Sequence, residues 1–316
     1  MESKLAPVEE SAASPTWRAT IALLAMTVIW ALNFSIAKDT LARITPLAFN
    51  ALRFPFAAAV VTLAMVRRTG VRLPDRCDWF RIAALGLLAN VVYQLCFIFG
   101  LENSRAGTAS VLLAGTPIVT GLLSAAVGHE RLSGRTWVGA TATVAGILLV
   151  VFTGAARAGE DTVLGNTLMI VATFAWASYS VASRPLIAKY GALPITMWTL
   201  WIGTTAIVLL GARDVSTMDL GAVMPRDWLA VVYAGAFSIG IAYVLWSYGV
   251  RHLGATRTAT FSNLVPVIAL AAAWAMLAER PSGGQVAGAA VIIAGVTLAQ
   301  VRLRRPASPL PRSPAP

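Results

Sequence analysis

The sequence predicts an all-α membrane protein with ten transmembrane helices arranged as two inverted five-helix repeats, and three observations carry that prediction. Hydrophobic residues fill 57% of the 316 positions and charged ones 12%, with a mean hydropathy of +0.72. A water-soluble fold of this size needs more polar cover than that. Ten stretches are apolar and long enough to cross a bilayer, which takes about 20 residues. The chain also repeats itself. A shift of 149 positions lays Glu130-Arg131-x-Ser133-Gly134 on Glu279-Arg280-x-Ser282-Gly283, Asp78-Trp79 on Asp227-Trp228, Pro117 on Pro266, and Gly139 and Gly146 on Gly288 and Gly295.

In chain order, residues 1–16 hold three glutamates and no apolar core, so they are expected as a cytoplasmic N-terminal segment and not a cleaved signal peptide. A first five-helix module, 17–153, has spans near 17–37, 46–66, 79–100, 106–127 and 136–153. The polar stretch 154–163 separates it from a second module, 164–302, with spans near 164–183, 194–212, 228–248, 258–278 and 284–301. Residues 213–226 form a further polar break. The tail 303–316 is basic and Pro-rich, a composition expected to stay disordered.

Ten spans put both termini on one side of the membrane, and the distribution of Lys and Arg says which. With the termini cytoplasmic, inner segments hold seventeen basic residues and outer segments seven, leaving Arg53 inside a span. The net charge of +11 and pI near 10.6 therefore read as topology signals spread over loops. Nucleic acid is not an expected partner. Five spans per module is an odd number, so the modules enter from opposite sides, the arrangement of transporters built from inverted repeats. Cys77 lies in a basic loop and Cys96 within a span, so no disulfide is expected.

Residues able to do chemistry are few. Pro117 and Pro266 lie mid-span, where proline frees the carbonyl four residues earlier, at Leu113 and Ser262; such a carbonyl must face protein or a wet cavity. Each proline either kinks a packed helix or lines a pathway. Arg53 lies roughly 10 Å past Pro46 along its helix, with no Asp or Glu deep in a span to neutralise it. It either fixes helix packing through carbonyl contacts or offers its fork to a substrate carboxylate or phosphate. The absent buried acid argues against proton exchange for organic cations. Trp30, Asn33 and Phe34, with Trp176 and Tyr179, Tyr93 and Gln94, and Tyr243 and Trp246, are the mid-span aromatic and polar residues from which a cavity would be lined. Asn263 joins them as an amide that needs a partner in lipid, and helix packing is the alternative role for each. Trp17, Trp79, Trp137 and Trp228 sit near span ends as interfacial anchors.

Catalytic and cofactor motifs are absent or incomplete. His129-Glu130 opens like a zinc-protease motif, but the position of the second histidine is Ser133. Two histidines near span ends cannot equip a serine hydrolase, and no Gly-rich loop ending in Lys-Ser or Lys-Thr offers a nucleotide site. The chain is expected to be no enzyme and to need neither metal nor cofactor.

Trp30-x-x-Asn33-Phe34 with Lys38, Arg53-Phe54, and the module ending Glu130…Gly139…Gly146, repeated as Glu279…Gly288…Gly295, resemble the drug/metabolite transporter superfamily in its ten-helix EamA-type branch. Two EamA-like modules cover roughly 20–153 and 164–302. The resemblance implies a ten-helix basket around a central cavity in the cytoplasmic membrane. It also implies secondary transport, often export, of small metabolites such as amino acids. The expected partners are a small-molecule substrate, the bilayer and, as candidate coupling ion, a proton, with the protein a monomer or homodimer. Uptake of a sugar or organic anion stays open as the rival direction, and a receptor or scaffold role has little extramembrane sequence to serve it. The glycines at the module ends are expected to pack helices, and the Glu-Arg pairs to brace hairpins, with gating as the alternative role for the pairs. Tyr179 stands where Asn33 stands in the first module, so contacts from Asn33 are expected to be one-sided.

Overall fold

The computed structural model describes residues 16–68, 70, 73–128, 133–155, 161–253 and 255–300. The expectations for the N-terminal segment, His129-Glu130-Arg131 and the Pro-rich tail lie outside these residues, as do residues 156–160 of the break between modules. All regular structure among the described residues is helical. The first half comprises α1 (Thr16–Thr40), α2 (Pro46–Arg68), α3 (Trp79–Leu87), α4 (Tyr93–Glu102), α5 (Ala106–Leu113), α6 (Thr116–Ala126) and α7 (Gly134–Ala155). The second comprises α8 (Val163–Ala182), α9 (Arg184–Tyr190), α10 (Ala192–Ser216), α11 (Pro225–Val232), α12 (Ala242–Leu253), α13 (Ala255–Ser262), α14 (Val265–Leu277) and α15 (Gly283–Gln300).

Seven helical stretches among the described residues are long and apolar enough to cross a membrane: Trp17–Thr40, Pro46–Arg68, Arg76–Glu102, Ala106–Ala126, Gly134–Thr153, Ala192–Ser216 and Pro225–Leu253. The expected ten also needed α8, α13 with α14, and α15, which are shorter or more polar. Large apolar side chains such as Phe80, Phe152, Leu209 and Leu229 point outward, as a lipid-facing surface requires and a water-facing one avoids.

Local sequence sets the helix ends. Pro46 opens α2, where a missing N–H costs nothing, and the Thr45 hydroxyl accepts from the Ala48 amide at 3.4 Å. Thr162 caps α8 by accepting from the Gly165 amide at 2.9 Å. The repeated Ser-Gly has the same job in both halves. Ser133 accepts from the Thr136 amide at the start of α7, and Ser282 forms a reciprocal capping box with Gln285 at the start of α15. Glu279, expected to brace its own hairpin, instead reaches the other half. Its carboxylate accepts from the amides of Ala106 and Gly107 at 3.0 and 3.1 Å. The free N–H groups at the start of α5 make that the better site for an anion.

Spans four and nine do not continue through their prolines. Each breaks into two helices, at Ala114–Gly115 and at Asn263–Leu264, which are repeat-equivalent positions. Pro117 and Pro266 then occupy the first turn of the following helix rather than kinking a continuous one. The freed Leu113 carbonyl accepts the Thr116 hydroxyl at 2.6 Å, which keeps it satisfied away from water. Spans three and eight carry a second paired irregularity, π-helical turns at Leu88–Val92 and Tyr233–Ile241.

Equivalent helices of the two halves pack on each other. Helices α7 and α15 cross antiparallel, with Gly139 against the Gly295 carbonyl and Gly146 against the Gly288 carbonyl. At the other end of the packing, the repeated aspartates form reciprocal ion pairs. Asp227 of the second half takes Arg43 of the first through Nε and Nη2 at 2.7–3.0 Å, and Asp78 of the first half takes Lys189 of the second at 2.7 Å. Arg43 and Lys189 are themselves equivalent, in Leu41-Ala42-Arg43 and Ile187-Ala188-Lys189. The two ion pairs lie beyond opposite ends of α2, whose 23 residues separate them by roughly 35 Å.

Two outcomes test this packing. Alanine normally stabilises a helix interior relative to glycine by about 0.5–1 kcal/mol. At Gly146 a Cβ would lie 2.7 Å from Ile292 Cγ1 and 2.8 Å from the Gly288 carbonyl, so Gly146→Ala is expected to lower the melting point in detergent. Gly121→Ala, in open space, is expected to leave it unchanged or raise it. Lys189 and Tyr190 hold the Asp75 carboxyl below the usual carboxylate range. A depressed folded-state value means that this contribution is present above the unfolded carboxylate pKa, about 4, and is lost as pH falls through the folded one. Melting curves from pH 6 to 3 should therefore fall more steeply for the wild type than for Lys189→Met; parallel curves would remove Lys189 from the account.

Candidate functional site

The mid-span aromatic residues assemble between the halves. Trp30 of α1 lies 6.4 Å from Tyr243 and 5.7 Å from Trp246, both on α12. Trp176 of α8 lies 5.0 Å from Tyr93 of α4, 5.8 Å from Tyr243 and 5.4 Å from Tyr179. Phe97, one turn after Tyr93, continues the array to Phe34 at 5.7 Å. These rings are connected edge to face, tilted or, for Tyr93 and Phe97, stacked, at the separations aromatic pairs favour, and α1, α4, α8 and α12 all contribute. Trp30, Tyr93, Trp176 and Tyr243 are each only half-buried.

The π-helical turns explain how the array is held. Such a turn leaves carbonyls out of the regular α ladder, and the Trp30 indole donates to one of them, Ser238, at 2.9 Å. Gly235, in the same segment, lets that helix approach the backbone carbonyl of Arg53 too closely for any Cβ. Its repeat-equivalent, Gly86, meets the Thr199 carbonyl in the same way at 2.9 Å. Thr199 therefore occupies in the second half the place of Arg53 in the first.

Arg53 is 1% exposed. Its Nε donates to Asn50 Oδ1 at 3.0 Å and its Nη2 to Gln94 Oε1 at 2.8 Å. The guanidinium carbon lies 5.0, 5.8 and 5.9 Å from the rings of Phe49, Phe54 and Phe97. No carboxylate pairs with it among the described residues. The amide oxygens and ring faces offset part of the cost of burying the cation and leave its net charge in place.

The remaining sequence candidates separate from this group. Asn263 sits in the turn between α13 and α14, where its Nδ2 donates to Thr297 at 3.4 Å, a packing contact. Pro117 and Pro266 start helices, as described above. Asn33 shares the α1 face of Trp30, one turn on, and its buried Oδ1 finds no partner in the structure. Sequence reasoning overlooked Asn50 and Phe97, although each stands one helical turn from a residue it singled out, Arg53 and Tyr93. It also overlooked the π-helical turns, whose apolar composition matches that of an α-helix.

A second polar cluster joins the halves at the start of α5. Buried Asp161 accepts from the Arg105 amide at 2.8 Å, from the Thr108 hydroxyl at 3.0 Å and from Gln285 Nε2 at 3.1 Å. Glu279 caps the same helix start. There Gly107 packs on Leu270, while Gly121, the repeat-equivalent of Leu270, has open space around it. A groove of about 520 Å³ along α14 and α15, lined by Val267, Trp274 and Ile293, lies outside the aromatic array.

Comparison with known proteins agrees with this architecture. The EamA-like transporter family model matches residues 17–152 and 163–300. A probable terminal-alkyne amino-acid exporter of Streptantibioticus cattleyicolor is 28% identical over 281 residues, covering 89% of this chain and 93% of its own. A probable amino-acid metabolite efflux pump of Salmonella typhimurium is 28% identical over 295 residues, covering 90% and 96%. An uncharacterized transporter of Bacillus subtilis is 24% identical over 289 residues, covering 90% and 94%. A solved crystal structure aligns with a TM-score of 0.63 at 23% identity, covering 90% of this chain and 96% of that one, and so shares the fold. With both halves matched in turn by one family model, the chain belongs to the EamA-like transporter family.

Proposed function

We propose that the protein is a secondary transporter that exports small, amino-acid-like organic solutes across the cytoplasmic membrane by alternating access. The observation that carries this reading is the aromatic array. Its half-buried rings come from both halves and meet between the two reciprocal ion pairs, where a carrier built of two related units places its substrate. The relatives named as amino-acid exporters and efflux pumps support the substrate class and the direction.

Ten spans in two inverted sets of five account best for the packing. Equivalent ion pairs beyond opposite ends of α2 fall on opposite sides of the membrane, and equivalent helices α7 and α15 cross antiparallel. Both follow from a two-fold axis in the membrane plane. The excess of basic residues in the inner segments supports cytoplasmic termini, which puts Asp161 and Glu279 outside. In this reading the structure is the carrier closed outside, with Leu270 against Gly107, and open inside, where Gly121 stands free. The polar cluster at the start of α5 is the outer latch, and a proton is the candidate coupling ion.

Flux in proteoliposomes is the direct test. Preloaded unlabelled amino acid should accelerate exchange of its radiolabelled form; absence of exchange across aromatic, aliphatic and polar amino acids, in either orientation, would overturn the transport reading. The latch makes a separate prediction in a background with Cys77→Ala and Cys96→Ala. Gly121→Cys should label from the cytoplasmic face with an impermeant thiol reagent. Adding Glu279→Gln removes a charge-assisted cap of about 1–2 kcal/mol, which moves the equilibrium constant toward the outward-open state by roughly fivefold or more, so labelling should slow. Unchanged labelling would show that Glu279 does not bias the two states.

A further inference from the structure

The donors around Arg53 outnumber the acceptors that the protein supplies. Arg53 Nη1 makes no hydrogen bond among the described residues, while Nε and Nη2 are taken by Asn50 and Gln94. Gln94 accepts from the guanidinium through Oε1, and its Nε2 group is left with two N–H donors and no partner among the described residues. The hydroxyls of Tyr93 and Tyr243 likewise find no acceptor there. These four groups belong to one connected set of side chains. Gln94 bonds Arg53 directly, Tyr93 stacks on Phe97 at 6.0 Å, and Phe97 lies over the guanidinium; Trp176 links Tyr93 to Tyr243.

A buried cation without a carboxylate, beside amide and phenol donors without acceptors, is complementary to an anion. The rings beside it offer apolar faces and add no negative charge. We propose that Arg53 and Gln94 receive the carboxylate of a small organic acid whose apolar part lies against Trp176 and Tyr243. The substrate carboxylate then serves as the counter-ion that the protein omits. The empty site carries an unneutralised buried charge, and occupancy removes it, so a carboxylate contributes more here than at a water-filled surface. An α-ammonium group is tolerated and is not what the site selects.

The second half has no such site. Thr199 stands in the place of Arg53, Thr196 in that of Asn50, and Tyr243 in that of Gln94, so the anion binds off the pseudo-symmetry axis, toward the first half. This inference rests on the transport reading for its biological meaning and not for its test.

Binding is measured on the full chain in detergent or nanodiscs by quenching of the tryptophan emission from the array. Four probes share one side chain: L-phenylalanine, N-acetyl-L-phenylalanine, L-phenylalanine methyl ester and phenethylamine. The two carboxylates should quench saturably, with the ester and the amine at least about tenfold weaker, the factor expected for a charge-assisted pair. Arg53→Gln should bring the carboxylates to the level of the ester, and Arg53→Lys should recover part of the difference. Equal binding of ester and acid overturns the proposal on wild-type protein alone, even if Arg53→Gln fails to fold. No quenching by any of the four also overturns it. Carboxylate-selective, Arg53-dependent binding without flux in proteoliposomes retains the site and removes the transport reading. Flux indifferent to the carboxyl group does the reverse.

Discussion

The reciprocal pairing of Asp78 with Lys189 and of Asp227 with Arg43 is the constraint on which the arrangement of the two halves depends. Each half supplies one acid and one base, and each acid is placed at the entry of its own third span. Neither half pairs its aspartate with its own base, because Arg43 lies beyond the far end of α2 from Asp78 and Lys189 beyond the far end of α10 from Asp227. The halves must therefore interlock to neutralise charges at the membrane boundary, where an unpaired carboxylate next to lipid is costly. Once the two ends are pinned this way, α2 lies along α10 and α7 along α15. The glycines at 139, 146, 288 and 295 become necessary because they sit where those backbones meet.

Between the pinned ends, the backbone departs from regular helix at four places. The breaks after Leu113 and Ser262 and the π-helical turns at 88–92 and 233–241 each free hydrogen-bonding groups that lipid cannot satisfy. The local partners are specific: the Thr116 hydroxyl for Leu113, the Trp30 indole for Ser238. Trp30 thereby does two jobs, holding the irregular turn and placing its ring against Tyr243 and Trp246. The same turn contains Gly235, whose missing side chain lets the helix lie on Arg53 and seals that residue from lipid. Irregular backbone, aromatic array and buried cation are thus one physical arrangement.

The all-helical class and seven of the expected membrane-length runs were legible because apolar length is written directly in composition and spacing. The ion-pair reciprocity was hidden by a change of register. The aspartates repeat at 149 positions but Arg43 and Lys189 at 146, so no single shift aligns both partners. The glutamate of the repeated Glu-Arg motif was misjudged because sequence neighbours suggested a hairpin brace, whereas three-dimensional packing offers Glu279 the free amides of α5. The prolines marked the places where the helices stop and restart, in place of the kink that was one of their two expected roles. A lone proline kinks a helix, but Gly115 beside Pro117, and Asn263 before Pro266, let the chain stop and restart.

Symmetry of backbone and asymmetry of chemistry have separate consequences for a carrier. In the proposed carrier, two halves that exchange roles give two conformations of similar energy, since the helix–helix contacts that close one end have backbone counterparts at the other. If side chains obeyed the same symmetry, a substrate would meet two equivalent half-sites with no reason to prefer one. Here Arg53 faces Thr199 across that relation, Asn50 faces Thr196, and Gln94 faces Tyr243. The departures concentrate in the proposed binding group, while the reciprocal ion pairs and the glycine contacts keep the symmetry. In the proposed carrier, a ligand bound at Arg53 stays with the first half while the second half moves around it, and the two closed states differ in polar contacts although their helices are alike.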